Sequence, residues 1–239
     1  MRGVTFDFWN TLYTDGGDDT AGTITARRIE VLRQALRQRG AGVPDEALWS
    51  AHRSGLDAGN EAWYAWRQYG ARDYVRHVFN ALAFDPSDDL VHATARAIEE
   101  VGQHAQLRLL PGAAETITTL ARQDVILGLI SDTVLTPGRV LNCFLERDGL
   151  LPFFAALTYS DVTGFPKPDP RMFYQTLQRM SVVAEEALHV GDVPRTDIAG
   201  ALHAGMRAVR YAGEHDLRDP PKPLAVIHDH RELLRIIRV

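Results

Sequence analysis

This chain of 239 residues has one cysteine, two lysines, no long apolar run and no surplus of positive charge. Each scarcity removes a class of protein. Cys143 stands alone, which excludes an internal disulfide and any zinc site built on thiolates, and makes a reducing cytoplasm the expected compartment. No apolar stretch reaches the roughly 18 residues that a membrane span needs. The first residues also lack the basic and apolar regions of a signal peptide. A formal net charge of −5 and a pI near 6.0 leave no basic footprint for nucleic acid. Apolar content of 45% and charged content of 24% are those of an ordinary globular chain. Its length allows one large domain or a core with an insert. The lysines are Lys167 and Lys222, and the remaining Lys/Arg positions are all arginine. A lysine in an unusual context is therefore conspicuous.

What is present begins with Gly3-Val4-Thr5-Phe6-Asp7-Phe8-Trp9-Asn10-Thr11-Leu12. Val4, Thr5, Phe6 and Phe8 suit a buried strand of an α/β sheet. Asp7 falls at its carboxyl end, where open α/β sheets bind ligands. Taken alone, Asp7 is as well explained as a cap in a strand-to-loop turn. An acidic turn, Tyr13 to Asp19, follows. Helical spacing then dominates. Ile29, Leu32 and Leu36 mark one helix, closed by Gly40-Ala41-Gly42. Pro44-Asp45 starts a second helix, a third is expected over Asn60–Leu82, and a fourth over Asp88–His104. No strand pattern interrupts residues 20–105.

From Pro111-Gly112 onward, helices and strands alternate. The expected helices are Ala113–Arg122, Arg139–Leu145, Pro170–Met180 and Asp197–Ala204. The expected strands are Val125–Ile130, Ala156–Ser160, Ala187–Val190, Ala208–Tyr211 and Leu224–Ile227. Strands separated by helices of this length predict a parallel sheet with right-handed crossovers.

Polar residues recur at the ends of successive strands: Asp7, then Ser131 with Asp132, then Lys167 in the loop after the third strand, then Asp192, with Asp197 five residues later. Each has a plain explanation by itself, as a helix cap or a solvated loop residue. Their joint order describes a convergent site with clustered carboxylates, a hydroxyl and one of the two lysines. Carboxylates gathered without Cys or His suit Mg²⁺, which prefers oxygen ligands and keeps waters for a phosphate substrate. Lys167 and Ser131 can donate to a phosphate. Asp132 lies beside Ser131, and the turn after Asp7, with Asn10 and Thr11, adds backbone N–H groups.

These residues resemble the four motifs of the haloacid dehalogenase superfamily over essentially the whole chain. Phe6-Asp7-Phe8-Trp9-Asn10-Thr11-Leu12 is similar to the first motif, whose Asp is the nucleophile. Leu129-Ile130-Ser131-Asp132 resembles the second, which holds phosphate. Phe165-Pro166-Lys167-Pro168-Asp169-Pro170 resembles the third, with its charge-balancing Lys. The run from His189 to Ala201, with Gly191-Asp192 and Asp197, is similar to the fourth, whose acids bind Mg²⁺. The resemblance implies a Rossmann-like α/β core over residues 1–14 and 107–239, with an α-helical cap over 15–106. It further implies Asp7, the Trp9 backbone carbonyl, Asp192 and Asp197 around the metal.

One position departs from the pattern. The family's phosphatases carry a second Asp two residues after the nucleophile, as general acid and base, and here that position is Trp9. The family's 2-haloacid dehalogenases have an aromatic residue there, but they are metal-free and their fourth motif differs from Gly191-Asp192 with Asp197. The resulting expectation is a Mg²⁺-dependent hydrolase of a small phosphorylated metabolite, acting through an aspartyl-phosphate on Asp7. The alternatives are C–halogen hydrolysis and a binding protein without turnover. A phosphate ester is the expected partner, with neither nucleic acid nor membrane, on a monomer or a homodimer formed through the cap. Trp63, Tyr64, Trp66, Tyr69 and Tyr74 crowd one stretch of the insert. They suit a core stripe, a dimer surface or a lid over substrate.

Overall fold

Six parallel strands and two very short ones carry the extended structure of this computed structural model, which describes residues 1–16 and 20–237. The part of the expected acidic turn at Gly17–Asp19 lies outside the described residues. In chain order the strands are β1 (Gly3–Phe6), β2 (Tyr13–Asp15), β3 (Leu107–Leu109), β4 (Ile126–Ser131), β5 (Phe154–Tyr159), β6 (Ala187–Gly191), β7 (Arg207–Tyr211) and β8 (Ala225–Ile227). The main sheet has the order β5-β4-β1-β6-β7-β8. β2 and β3 form a separate two-stranded ladder. Sequence periodicity missed both, because three residues are too few to show alternation.

The chain forms two units. One comprises Met1–Thr14, Leu107–Asp132 and Asn142–Val239, and holds the main sheet. The other comprises Asp15–Gln106 and Thr133–Leu141. The second therefore includes a segment, Thr133–Leu141, that sequence reading assigned to the core. Side chains explain this. Leu135 packs in the helical core, Arg28 donates to the Leu135 carbonyl at 3.3 Å and to the Thr136 hydroxyl at 3.1 Å, and Gln68 donates to the Thr133 carbonyl at 3.1 Å.

The helical unit is built from α1 (Thr20–Arg37), α2 (Asp45–Tyr64), α3 (Ala71–Ala81) and α4 (Asp88–Val101). Ile29, Leu32, Leu36, Leu48, Val78, Phe79 and Ile98 are almost fully buried in one cluster. At about 1.5–3 kcal/mol for each such side chain, this face outweighs the weak intrinsic preference of the separate helices. The expected helix over Asn60–Leu82 is instead divided. α2 runs on to Tyr64, and α3 begins only at Ala71. The break follows from Trp66 at φ 57 and from Gly70, whose N–H donates to the Asp73 carboxylate at 2.9 Å. A left-handed residue cannot continue a right-handed helix, and the Asp73 cap starts a new one. The aromatic stretch is divided with it. Tyr74 is fully buried against His52, and the Tyr69 hydroxyl donates to the Gly55 carbonyl. Tyr64 and Trp66, at 67% and 46% exposure, lie outside the core.

In the sheet unit the remaining helices are α5 (Ala113–Arg122), α6 (Gly138–Arg147, whose first residues belong to the helical unit), α7 (Ser160–Thr163), α8 (Pro170–Met180), α9 (Ala199–His203) and α10 (Leu233–Ile237). α8 starts where Pro170 occupies the first turn and the Asp169 carboxylate accepts from the Arg171 N–H at 2.9 Å. Every residue of β1 and β6 is buried, as parallel strands covered on both faces require. The expected helix Asp197–Ala204 begins earlier, with a wide π-type turn over Pro194–Ile198 that leads into α9. β1 has β4 on one side and β6 on the other, so the chain's order reverses at β1. The crevice for a ligand in such a sheet lies at this reversal, beyond the carboxyl ends of the strands.

Candidate active site

Asp7 leaves β1 at that reversal. Its N–H donates to the Val190 carbonyl at 2.9 Å, which continues the β1–β6 ladder by one residue and fixes where the carboxylate starts. The next six residues close a tight turn. The N–H groups of Leu12 and Tyr13 donate to the Phe8 carbonyl at 3.0 and 2.9 Å, and Asn10 adopts φ 52, a conformation that Asn tolerates better than most residues. Phe8 stacks on Tyr13 with centroids 4.6 Å apart, and Trp9 meets the edge of Phe8 at 5.2 Å.

The fourth motif is shaped by a glycine. A Cβ on Gly191 would stand 2.3 Å from the Asp197 carboxylate carbon, so the Asp197 side chain occupies the space a larger residue would need. The wide turn over Pro194–Ile198 brings Asp197 back against the end of β6, where its Oδ2 accepts from the Val193 N–H at 2.9 Å. Asp192 lies at the same strand end, and its Oδ1 accepts a long bond, 3.5 Å, from the buried Thr11 hydroxyl.

Lys167 ties the parts together. Its Nζ donates to Asp7 Oδ1 at 2.6 Å and to Asp197 Oδ1 at 2.6 Å, and the three side chains are at most 7% exposed. Its backbone N–H donates to Asp132 Oδ1 at 2.8 Å. The structure thus brings together Asp7, Thr11, Asp132, Lys167, Asp192 and Asp197. Two expected residues stand apart in their bonding. The Ser131 hydroxyl, at the end of β4, donates to the Asp132 carbonyl at 3.1 Å, and the Asn10 side chain accepts from Thr14 at 3.3 Å.

Two residues at the centre went unassigned in the sequence reading. His189 Nε2 lies 3.3 Å from Asp197 Oδ1, and His189 Nδ1 lies 2.8 Å from the Thr5 hydroxyl. Both side chains are fully buried. The available signal was a polar residue within each of two buried apolar strands, at positions that parallel pairing places side by side.

The charges do not balance. Three buried carboxylates, Asp7, Asp192 and Asp197, offer oxygen atoms that all lie within 4.8 Å of one another, and one ammonium serves them. Burial pushes the Asp7 carboxyl up to about 7, against the pull of Lys167. Burial, reinforced by the charges of Asp197 and Asp7, pushes Asp192 up to about 8. Burial would raise Asp197 as well, but Lys167 and His189 hold it well below the usual carboxylate range. For Lys167, burial opposes the charge, and the surrounding carboxylates, Asp197 first, outweigh it and raise the ammonium above its ordinary value. An all-oxygen donor set, with two carboxyls that burial and neighbouring charge push upward, fits a hard divalent cation.

Comparison with known proteins agrees with this geometry. A family model described as a haloacid dehalogenase-like hydrolase matches residues 1–205. The chain is 31% identical over 182 residues to a glyceraldehyde 3-phosphate phosphatase from Methanopyrus kandleri, covering 72% of this chain and 75% of that protein. A phosphoserine phosphatase from Thermus thermophilus is 31% identical over 69% of this chain and 62% of its own length. Among solved structures, a 2-haloacid dehalogenase from Pseudomonas syringae pv. Tomato is similar with a TM-score of 0.67 and 31% identity, covering 99% of this chain and 98% of that one.

Proposed function

The chain belongs to the haloacid dehalogenase-like hydrolase family, and from that premise we propose that it hydrolyses a small phosphate ester through a covalent aspartyl-phosphate on Asp7. The observation that carries this reading is the surplus of buried carboxylate over buried cation at the end of β1 and β6. Mg²⁺ is the cation proposed for Asp7, Asp192 and the Trp9 carbonyl, where it would supply charge to offset the phosphoryl oxygens.

The remaining work falls to the chain itself. Asp7 attacks phosphorus, the bond to the ester oxygen breaks, and the leaving group departs as its oxyanion, which takes its proton from water. Water then cleaves the acyl phosphate, which releases phosphate and restores Asp7. Lys167 holds Asp7 Oδ1 and so keeps one carboxylate oxygen oriented while the other is free to attack. Ser131, Asn10, Thr11 and the N–H groups of the turn after Asp7 are the proposed phosphate contacts, and Asp132 positions the Lys167 backbone.

Trp9 favours a second reading, in which Asp7 attacks carbon and displaces halide, because halide needs no proton to depart. The similar 2-haloacid dehalogenase adds weight to it. The acidic cluster opposes it. A panel of phosphate esters and 2-haloacids, each assayed with and without Mg²⁺, separates the two. Metal-dependent phosphate release supports the phosphatase, and metal-independent halide release replaces it with the dehalogenase.

A further inference from the structure

Behind the acids lies a chain of buried polar groups, Thr5–His189–Asp197–Lys167–Asp7, that spans β1, β6, the wide turn and the loop before α8. His189 is fully buried, with its ring edge-on to Phe173 at a centroid distance of 5.2 Å. Its ring nitrogens have one polar neighbour each, the Thr5 hydroxyl and Asp197 Oδ1. That pair of neighbours decides where the ring proton sits. A proton on Nδ1 would point at Thr5 and leave the Nε2 lone pair facing a carboxylate oxygen, a repulsive contact with no solvent to relieve it. A proton on Nε2 donates to Asp197, and Nδ1 then accepts from the Thr5 hydroxyl.

Asp197 is in turn fully engaged. Its Oδ1 accepts from Lys167 at 2.6 Å and lies 3.3 Å from His189, while its Oδ2 accepts from Val193 at 2.9 Å and from Thr196 at 3.5 Å. Asp192 accepts a long side-chain bond from Thr11 and a bond from its own backbone, and does not touch Lys167 in an ion pair among the described residues. The two acids of the fourth motif therefore stand in different situations.

We infer that His189 is a positioning residue whose Nε2–H tautomer, dictated by the Asp197 carboxylate and accommodated by the Thr5 hydroxyl, holds Asp197 against Lys167, so that Asp197 is committed to the lysine and a cation falls to Asp192 and Asp7. The inference rests on the phosphatase reading for its effect on turnover, and on geometry alone for the tautomer. Removing the imidazole loosens Asp197, and Lys167 then loses the one carboxylate besides Asp7 that holds its ammonium in place.

The test combines two-bond ¹H–¹⁵N NMR of the histidine rings, Mn²⁺ titration, and kinetics on an aryl phosphate for wild type, His189→Gln, His189→Leu and Thr5→Val. His189→Gln identifies the ring resonances and retains an N–H that can reach Asp197. The ring in wild type should be protonated on Nε2 and bare on Nδ1, and Thr5→Val should shift the Nδ1 resonance without moving the ring proton. His189→Leu should lower kcat about tenfold or more, with His189→Gln recovering most of it, while Mn²⁺ affinity stays within about threefold. Asp192→Asn should weaken Mn²⁺ by far more than Asp197→Asn does. An Nδ1–H ring, or equal kcat in the Leu and Gln variants, overturns the inference. If the wild type hydrolyses no phosphate ester, the phosphatase reading fails by itself. The ring tautomer and the Mn²⁺ comparison then still decide the role of His189.

Discussion

Lys167 and Asp7 are 160 residues apart in sequence and 2.6 Å apart in the fold, in an ion pair closed to solvent. Lys167 also contacts Asp197, and among the described residues no other cationic side chain pairs with these acids apart from His189. A buried ammonium between two carboxylates is costly to desolvate, so its worth lies in what its removal would leave behind.

Lys167→Met should therefore destabilise the protein by about 3–5 kcal/mol, because it leaves buried carboxylates without a counter-charge. Chemical denaturation at neutral pH checks this. A smaller loss at pH 5 than at pH 8 is also expected, since protonation can then neutralise the orphaned acids. Equal losses at both pH values would show that the lysine contributes packing alone.

Above about pH 7, where the buried imidazoles of His52, His189 and His230, held down by burial, have released their protons in both states, the metal-free protein should lose stability as pH rises toward about 9. An unfolded Asp ionises near 3.9, whereas Asp7 and Asp192 are pushed up to about 7 and about 8 in the fold. Between those values the folded state holds protons that the unfolded chain has released, and raising the pH penalises the fold. Asp197 has the opposite sign, and its contribution is complete throughout this range. Millimolar Mg²⁺ should raise the melting temperature more at pH 8 than at pH 6, and Asp192→Asn should flatten both trends. Thermal melts across pH with and without metal measure this directly.

Gly191→Ala should perturb the site more than its size suggests. The added carbon falls 2.3 Å from the Asp197 carboxylate carbon, so either Asp197 or the wide turn must move. A cost of about 1–3 kcal/mol is expected from overpacking, together with a loss of turnover that Ala substitution at an exposed glycine does not cause. A variant with wild-type kcat and melting temperature would disprove the tight approach.

On the proposed phosphatase reading, the resemblance of the first motif puts Trp9 at the position of an acid and base. The wild type should favour aryl or acyl phosphates, whose leaving groups depart without a proton. Such a group typically supplies about 10²–10⁴ in rate. Trp9→Asp should accordingly raise alkyl phosphate turnover by more than aryl phosphate turnover, provided the turn closed by the Phe8 carbonyl survives. Steady-state kinetics on one substrate of each kind decide the matter, and equal wild-type rates for the two with chemistry rate-limiting would remove the argument.

Much of this protein was determined by sequence alone, because the relevant signals are local. Alternating apolar runs and helical spacing declared a parallel sheet. The carboxyl ends of those runs located Asp7, Ser131, Asp192 and the loop carrying Lys167. α5 and α8 begin and end where their caps and breakers stand. Tertiary structure decided the rest. Whether an aromatic stretch continues a helix depended on Trp66 adopting a left-handed backbone and on Gly70, in extended backbone, meeting the Asp73 cap. Whether Thr133–Leu141 belongs with the sheet or the helices depended on Leu135 finding the helical core. That Asp197 meets both Lys167 and His189 depended on the register that sets Thr5 beside His189, 184 residues away, and on a glycine that lets Asp197 fold back. Residue type and spacing specify which side chains reach the end of the sheet. Only strand pairing, burial and the exclusion of water specify which of them bond to one another.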